Sequence, residues 1–271
     1  MLSRLVMIFL VLGMWLGNAV AAERFITLAS TTSTEQSGFF AHVLPLFKKQ
    51  TGIAVRVIAV GSGQALAIGE RGDADAVLVH DRTGEENFVA AGHGVDRRAV
   101  MFNDFVIVGP ESDPAGIRGL SNAHNALKRI AKSKSLFTSR GDDSGTHRAE
   151  LRLWKGAGIH PADEWYRELG QGMGPTLNTT VELNSYTISD RASWANFGNR
   201  RDLEILVEGD PVLFNPYSSI LVHPSKRTSQ KAADARIWHE WIASEAGRQA
   251  IASFRINGKQ MFFLPGSRPG S

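Results

Sequence analysis

The sequence has no cysteine among its 271 residues. This absence excludes a disulfide framework. It also leaves no cysteine near the N-terminus that could carry a lipid anchor. The chain must therefore be held together by its packing alone, and 43% hydrophobic residues with 21% charged residues is an ordinary composition for a globular protein with a full core.

The sequence has little excess charge of either sign, with 30 Lys and Arg against 27 Asp and Glu. The basic residues are scattered among acidic ones, and they form no run and no patch interleaved with aromatic residues. This pattern argues against a nucleic-acid partner. A slightly basic protein is nonetheless compatible with small anionic ligands.

Common motifs for metals and nucleotides are also missing. The 8 histidines are spread along the chain, without a His-Glu-x-x-His pair or a clustered ligand set, so no metal site is predicted. Each single histidine is interpreted as a surface or structural residue. No glycine-rich run ends in Gly-Lys-Ser or Gly-Lys-Thr, which excludes a P-loop.

Only one long apolar run is present, over 5–16, and it lies at the N-terminus. It follows the basic residue Arg4 and precedes the small residues 19–22, which is typical of a secretory signal peptide. The run is short for a membrane anchor. We expect cleavage near Ala21 or Ala22 and a soluble periplasmic protein, in which the loss of Arg4 leaves 29 basic residues against 27 acidic ones and a net charge of +2.

The mature chain begins with apolar strands that alternate with helical patterns over short connections. This alternation predicts an α/β fold with doubly wound parallel strands, whose strand-to-helix turns emerge at one edge where ligands bind. The strands are predicted at 25–29, 54–60 and 76–79, and the helices at 36–49, 65–70 and 85–91.

Two later segments, 103–110 and 215–224, are similar to each other in form. Each is an apolar strand that follows a polar residue and is closed by proline. We interpret them as paired crossover strands between two lobes. The predicted organisation is a signal peptide over 1–22, a discontinuous lobe one over 23–107 and 215–262, lobe two over 108–214 and a tail over 263–271.

Three loops concentrate hydroxyls and glycines immediately before a helical pattern. They are Ser30–Thr34, Ser62-Gly63 and Arg140–Thr146, the last of which precedes a helix predicted over 147–157. A helix start offers amide N–H groups without intrahelical partners and a partial positive charge, and Arg140 adds a permanent cation. Together these loops indicate a cleft between the lobes that encloses a small oxyanion.

Two other interpretations of the Arg140 loop are open at this point. The loop is also compatible with a capped helix that follows a charged turn. A serine hydrolase is not favoured, because Ser144 lacks the glycines two residues before and after it that a nucleophile elbow requires, and no histidine is assigned as its base. Asp142 and Asp143 either accept a proton from a ligand or pair with Arg140 or Arg148.

The mature sequence resembles, over nearly its whole length, the periplasmic tungstate-binding proteins. These are the solute receptors of tungstate ABC uptake systems, and they belong to the type II periplasmic binding proteins together with molybdate and phosphate receptors. The segments that carry the resemblance are 28–34, 57–66, 71–75, 103–110, 139–147, 170–174, 186–187, 190–191 and 207–211.

The resemblance implies which residues contact the anion. The family's Thr-Thr-Thr-Ser stretch corresponds to 30–33, where serine replaces the first threonine and keeps a hydroxyl, and its arginine and threonine correspond to Arg140 and Thr146. A similar arrangement in the phosphate receptors adds Ser144 and Gly145, and the second loop adds Ser62. The predicted ligand-binding set is Ser30, Thr31, Thr32, Ser33, Ser62, Arg140, Ser144, Gly145 and Thr146.

The resemblance also implies a function. We expect a monomeric receptor without cofactor, resident metal or catalytic activity, which captures tungstate and delivers it to the permease of an ABC importer. The alternatives are a receptor for molybdate, phosphate or sulfate, a periplasmic regulatory or scaffolding protein of the same fold, and the serine hydrolase. Sulfate is the smallest of these anions and a cavity can exclude it, whereas molybdate and tungstate are nearly equal in size.

Overall fold

The computed structural model describes residues 23–267. The predicted signal peptide and residues 268–271 of the predicted tail lie outside the described residues. Within the described part of the chain, no helix combines the length and apolar character needed to cross a membrane.

The first part of the chain alternates strands and helices, and it ends in a long strand. Val, Ile and Leu dominate the strands, and the whole of the third strand is buried. The elements are β1 (Phe25–Thr31), α1 (Thr32–Gln36), α2 (Phe39–Thr51), β2 (Ala54–Val60), α3 (Ser62–Arg71), β3 (Ala76–Val79), α4 (Arg82–Ala90) and β4 (Gly94–Pro110).

The middle of the chain forms a second group of helices with shorter strands. These elements are α5 (Ala123–Ser133), β5 (Phe137–Ser139), α6 (Gly145–Gly156), β6 (Tyr166–Glu168), α7 (Met173–Leu183), β7 (Thr187–Asp190), α8 (Arg191–Asn196) and β8 (Leu203–Val207). The chain then returns through β9 (Phe214–Val222), α9 (Ser229–Ala243), α10 (Glu245–Ser253), β10 (Arg255–Ile256) and β11 (Lys259–Gln260).

The main sheet runs through both lobes in the order β2-β1-β3-β9-β4-β7, with β8 also paired to β4. β1 pairs in parallel with β2 and β3, as the sequence predicts. β9 pairs antiparallel with β3 on one side and with β4 on the other. The first lobe packs β1–β3 against α2, α3, α4, α9 and α10, and the second lobe packs around α5, α6 and α7. The prediction of a two-lobed α/β fold is confirmed.

The two long strands β4 and β9 connect the lobes. They pair antiparallel, with Asn103 opposite Asn215, and β4 continues into the second lobe to pair with β7 and β8. The interpretation of these segments as paired crossover strands is confirmed.

The hydroxyl-rich stretch differs from the predicted turn. β1 extends to Thr31 and α1 begins at Thr32, so no separate turn divides strand from helix. Thr31 allows this abrupt change because it keeps an extended backbone while its hydroxyl caps α1 by accepting from Thr34 N.

Near the other end of the chain, Phe263, which the sequence assigned to the tail, exchanges two backbone hydrogen bonds with Phe102.

Candidate functional site

The first turns of α3 and α6 meet where the two lobes touch. A β-carbon built on Gly145 would lie 2.7 Å from Ser62 Oγ and 2.6 Å from His80 Cε1, and one built on Gly61 would lie 3.5 Å from Ser144 Cα. Any side chain at Gly145 would therefore require Ser62 or His80 of the first lobe to move. The two helix N-termini that the sequence singled out are brought together.

Two buried hydroxyls lie at this junction without a hydrogen-bond partner among residues 23–267. They are Ser62 Oγ at the start of α3 and Thr146 Oγ1 at the start of α6, and both residues are almost completely buried. Buried polar groups are normally paired, and the first amides of a helix also lack an intrahelical acceptor. The junction therefore presents hydrogen-bond donors from both lobes that have no acceptor among the residues the structure describes.

Arg140 follows β5 and is the buried cation of the site, with 2% of its surface exposed. Its Nε and Nη2 donate to Asp142 Oδ2 at 3.2 and 2.5 Å, whereas Nη1 donates to no residue in the described range. Asp142 Oδ1 accepts from Ser144 N at 3.2 Å. Asp142 therefore fixes Arg140 and the start of α6 in one geometry, and it leaves one nitrogen of the guanidinium available.

Asp143 pairs with the other arginine of the loop region. Arg148 Nη2 lies 2.7 Å from Asp143 Oδ2, and this hydrogen bond lowers the pKa of Asp143. Arg148 Nη1 lies 2.7 Å from Oδ2 of Asp81, which belongs to the first lobe. The question left open by the sequence is thus answered: the two aspartates pair with Arg140 and Arg148, and Arg148 also links the lobes.

Ser144 has the role of a helix cap. Its Oγ accepts from His147 N at 3.2 Å, and in the described chain it has no hydrogen bond to a histidine ring. His147 Nδ1 in turn accepts from Asp143 N at 3.1 Å. This arrangement lacks the nucleophile–base contact that a serine hydrolase needs.

The hydroxyls of 30–33 point in different directions. Ser30 Oγ donates to the Leu78 carbonyl at 2.6 Å, and Thr31 Oγ1 contacts Thr34 Oγ1 at 2.7 Å and Ser33 Oγ at 3.2 Å. Thr32 Cγ2 would lie 4.0 Å from a β-carbon built on Gly172 of the second lobe. Ser33 Oγ reaches the junction, 3.4 Å from His80 Nε2.

His80 is the residue of this site that sequence reasoning missed. It follows β3, is 3% exposed, stacks on Tyr217 at 4.6 Å and lies 2.9 Å through Nδ1 from Asn215 Oδ1. Burial lowers its pKa to about 4, so its ring is neutral at neutral pH. Its place after a parallel strand, at the same edge as Ser30 and Ser62, was the available signal.

Asp190 lies between Arg140 and the crossover strands. Its Oδ1 accepts from Ser193 N at 2.9 Å and caps α8, whereas its Oδ2 is buried without a partner in the described residues. Burial raises the pKa of this carboxyl, and the nearby Arg140 partly opposes the shift.

In residues 23–267, no group of three or more His, Cys, Asp or Glu side chains is arranged to hold a metal ion. Arg140 and the unpartnered hydroxyls of Ser62 and Thr146 suit the site to an anion.

Comparisons with known proteins point in the same direction. Residues 17–246 match the PBP superfamily domain. The chain is 44% identical to the tungstate-binding protein TupA of Peptoclostridium acidaminophilum, over 90% of this chain and 85% of that protein.

Two solved structures are similar as well. One is the tungstate-binding protein TupA from Desulfovibrio alaskensis G20, with 41% identity, a TM-score of 0.77 and coverage of 89% of this chain and 98% of that one. The other is described as the tungstate ABC transporter from Geobacter sulfurreducens, with 46% identity, a TM-score of 0.79 and coverage of 86% and 100%.

Proposed function

Because the chain belongs to the PBP superfamily, in the group of the tungstate-binding proteins, we propose that it captures tungstate and delivers it to an ABC importer. The observation that carries this proposal is the pair of buried hydroxyls of Ser62 and Thr146. They come from opposite lobes, lack a protein acceptor within the described chain and lie where α3 meets α6, the helix that follows the Arg140 loop. An oxyanion supplies the acceptors that these donors lack.

The chemistry of tungstate fits a site of this kind. A buried dianion is tolerated only when hydrogen bonds satisfy nearly all of its lone pairs. Tungstate is fully ionised at neutral pH and takes donors only. The donors in this proposal are the hydroxyls and backbone amides of the predicted set and the available nitrogen of Arg140; Ser30 contributes through its backbone, since its hydroxyl is already bonded to Leu78.

Capture proceeds by closure of the two lobes around the anion. The helix starts of α3 and α6 move together, and the anion stabilises the closed arrangement because it binds both of them. The hinge lies in the crossover strands, with lobe boundaries near residues 107 and 215. The closed receptor, a monomer in the periplasm after removal of the signal peptide, then presents its surface to a membrane permease.

Calorimetric titration of the mature protein with tungstate, molybdate, sulfate and phosphate tests this function. We expect the tightest binding for tungstate, with molybdate as the nearest competitor because the two anions are almost equal in size. Molybdate binding tighter than tungstate binding would make this a molybdate receptor. Absence of heat with every oxyanion would overturn the proposal.

The substitution Arg140→Ala gives the matching test of the site. It removes the buried cation opposite the dianion, and we expect a loss of about 2–5 kcal/mol in binding free energy. Arg167→Ala is the control, because Arg167 lies in the same lobe and is exposed. Equal affinities for the two variants would contradict the assigned site.

A further inference from the structure

His80 connects three parts of the molecule. Its Nε2 faces the junction, 3.4 Å from Ser33 Oγ and 2.9 Å from a β-carbon built on Gly145. Its Nδ1 is bonded to Asn215 on the crossover strand β9, and its ring stacks on Tyr217 of the same strand. A histidine in this place contacts the anion site and the hinge together.

The hydrogen-bond network assigns the ring's proton. Asn215 Nδ2 donates to Asn103 Oδ1 at 2.7 Å and also contacts Tyr217 Oη at 3.2 Å, so Asn215 Oδ1 faces His80 and accepts from Nδ1–H. The neutral ring therefore carries a lone pair on Nε2, the nitrogen that faces the anion site. This lone pair, at 3.4 Å, and Thr31 Oγ1, at 3.2 Å, are acceptors near the single hydroxyl proton of Ser33, so an anion competes with both of them for it.

The fixed charges of the site do not balance a dianion. Arg140 is already paired with Asp142, and Arg148 and Arg152 are paired with Asp81. Arg148 is also paired with Asp143, so these three arginines face three aspartates and leave no excess positive charge for a dianion. The charged groups that act on His80 are Asp81, Arg140 and Arg152. Tyr217 stacks on its ring, and Arg82 and His124 line the same pocket of about 450 Å³. The lone pair of His80 Nε2 also faces the dianion.

We propose that His80 takes up one proton at Nε2 when tungstate binds and becomes the second cation of the anion site. This inference rests on the proposed function. The proton comes from solvent, which the pocket that His80 lines with His124 and Arg152 brings close to the ring. It adds to the lone pair of Nε2 and no bond in the protein breaks. Nε2–H then donates, and one of the two acceptors that compete with the anion for the hydroxyl proton of Ser33 is removed.

The electrostatics support this change of state. In the absence of an anion, burial keeps the pKa of His80 near 4 and the ring neutral. An opposite charge within about 4–6 Å favours the charged form of a histidine, and a dianion in a buried site exerts this effect strongly. Histidine is the side chain whose protonation such a change moves across neutral pH.

Calorimetric titration with tungstate in Pipes, imidazole and Tris buffers, at about pH 7.5, measures the number of protons taken up on binding. These buffers differ in ionisation enthalpy, so the dependence of the observed heat on buffer gives the number of protons taken up. We expect about one proton per tungstate for the wild-type protein. Tungstate itself carries no proton at this pH, so the proton uptake is assigned to the protein.

Two histidine variants identify the acceptor. We expect proton uptake to disappear in His80→Gln and to persist in His124→Gln, which removes the other histidine of the pocket. Uptake that persists in His80→Gln, or that is lost in His124→Gln, overturns the inference. Tungstate binding without uptake in the wild-type protein overturns it as well and leaves the proposed function intact, whereas absence of tungstate binding overturns both.

Nitrogen NMR of the wild-type protein keeps the test independent of the stability of the variants. In ¹⁵N-labelled protein, the His80 ring is expected to show protonated Nδ1 and unprotonated Nε2 without tungstate, and two protonated nitrogens with it. A ring that stays neutral in the tungstate complex contradicts the inference. A purely structural role for His80 would change neither nitrogen.

Discussion

Gly145 lies so close to Ser62 across the lobe interface that a β-carbon on Gly145 would approach Ser62 Oγ to 2.7 Å. Each residue lies at a helix start in its own lobe: Gly145 is the first residue of α6, and Ser62 is the first residue of α3. Their proximity exists only when the lobes are together. A substitution at this contact therefore tests lobe closure without disturbing the fold of either lobe.

Gly145→Ala is predicted to weaken anion binding without destabilising the fold. The added methyl group overpacks the interface against Ser62 and His80, which costs about 1–3 kcal/mol of closure free energy. The backbone of Gly145 does not have a positive φ, so alanine fits it and restricts the unfolded chain, and the melting temperature without ligand is expected to stay equal or to rise. Calorimetry and a thermal melt measure the two effects.

Gly174→Ala is the control for this variant. Gly174 lies in the first turn of α7, and a β-carbon there would approach no atom closer than 4.0 Å. Its affinity is expected to equal that of the wild-type protein. Tungstate affinity that is unchanged in Gly145→Ala would show that the anion-bound form does not require this contact.

Removal of the unpartnered hydroxyls is predicted to lower the affinity for tungstate without lowering the stability of the unliganded protein. Ser62→Ala and Thr146→Val each remove a buried donor that has no acceptor in the described protein. Each is expected to lower tungstate affinity by about 1.5–3 kcal/mol, the usual contribution of a hydrogen bond to a charged group, while the unliganded protein becomes no less stable.

Ser30→Ala provides the matched comparison. Its hydroxyl donates to the Leu78 carbonyl, so its removal is expected to destabilise the unliganded protein by about 1 kcal/mol. Urea unfolding without anion and calorimetry with tungstate give both quantities for each variant. If Ser62→Ala and Thr146→Val unfold as easily as Ser30→Ala, their hydroxyls have structural partners and the site is assigned wrongly.

The serines show how far sequence reasoning extends. The sequence places Ser30 and Ser62 alike, just after the predicted parallel strands 25–29 and 54–60, and offers no reason to treat them differently. Their difference is tertiary, because the Leu78 carbonyl accepts from Ser30 Oγ, whereas Ser62 Oγ has no partner in the part of the chain that the structure describes. Position along the fold could be predicted, whereas hydrogen-bond direction could not.

The strands were predicted well for a related reason. The run at 54–60 is apolar or β-branched except for Arg56 and ends before Gly61, and the run at 76–79 is apolar throughout and follows Asp75. Such local patterns determine a strand without knowledge of its neighbours. His80 has no comparable local pattern. Its role follows from Asn215, which is 135 residues away in sequence, so the sequence alone predicts only a surface or structural residue.

The ion pair between Asp81 and Arg148 is predicted to slow the release of the anion. Asp81 is a buried residue of the first lobe, and Arg148 of the second lobe binds it at 2.7 Å. Asp81→Asn removes this charged hydrogen bond between the lobes, which is worth about 1.5–3 kcal/mol. The dissociation rate of tungstate, measured by rapid mixing, is expected to rise at least tenfold.

Asp143→Asn controls for the charge that this change removes. Asp143 pairs with the same arginine at 2.7 Å, but both partners belong to the second lobe. Its dissociation rate is expected to change much less than that of Asp81→Asn. Equal rates for the two variants would mean that the pair contributes through local charge and does not hold the lobes together.

Glu150 is predicted to make the stability of the second lobe depend on pH. It lies in α6 beneath the anion loop, where Oε1 accepts from Tyr166 Oη at 2.8 Å and Trp154 Nε1 at 3.2 Å. Burial raises its pKa from 4.5 to about 7. Because the folded state holds this proton more tightly than the unfolded state, the stabilisation is complete below about pH 4.5 and is lost as the pH rises to about 7.

Glu150→Gln removes this titration and keeps an acceptor for both donors. Relative to the wild-type protein, the variant is expected to be more stable at pH 8 than at pH 5 by about 3 kcal/mol, since one pKa unit corresponds to about 1.4 kcal/mol. Urea unfolding without oxyanion at both pH values measures the difference, and Glu164→Gln, at an exposed position of the same lobe, is the control. A stability difference between Glu150→Gln and wild type that is the same at both pH values would show that Glu150 does not titrate in this range. The carboxyl would then be ionised at pH 5 despite its burial, held in that state by the hydroxyl of Tyr166 and the indole N–H of Trp154.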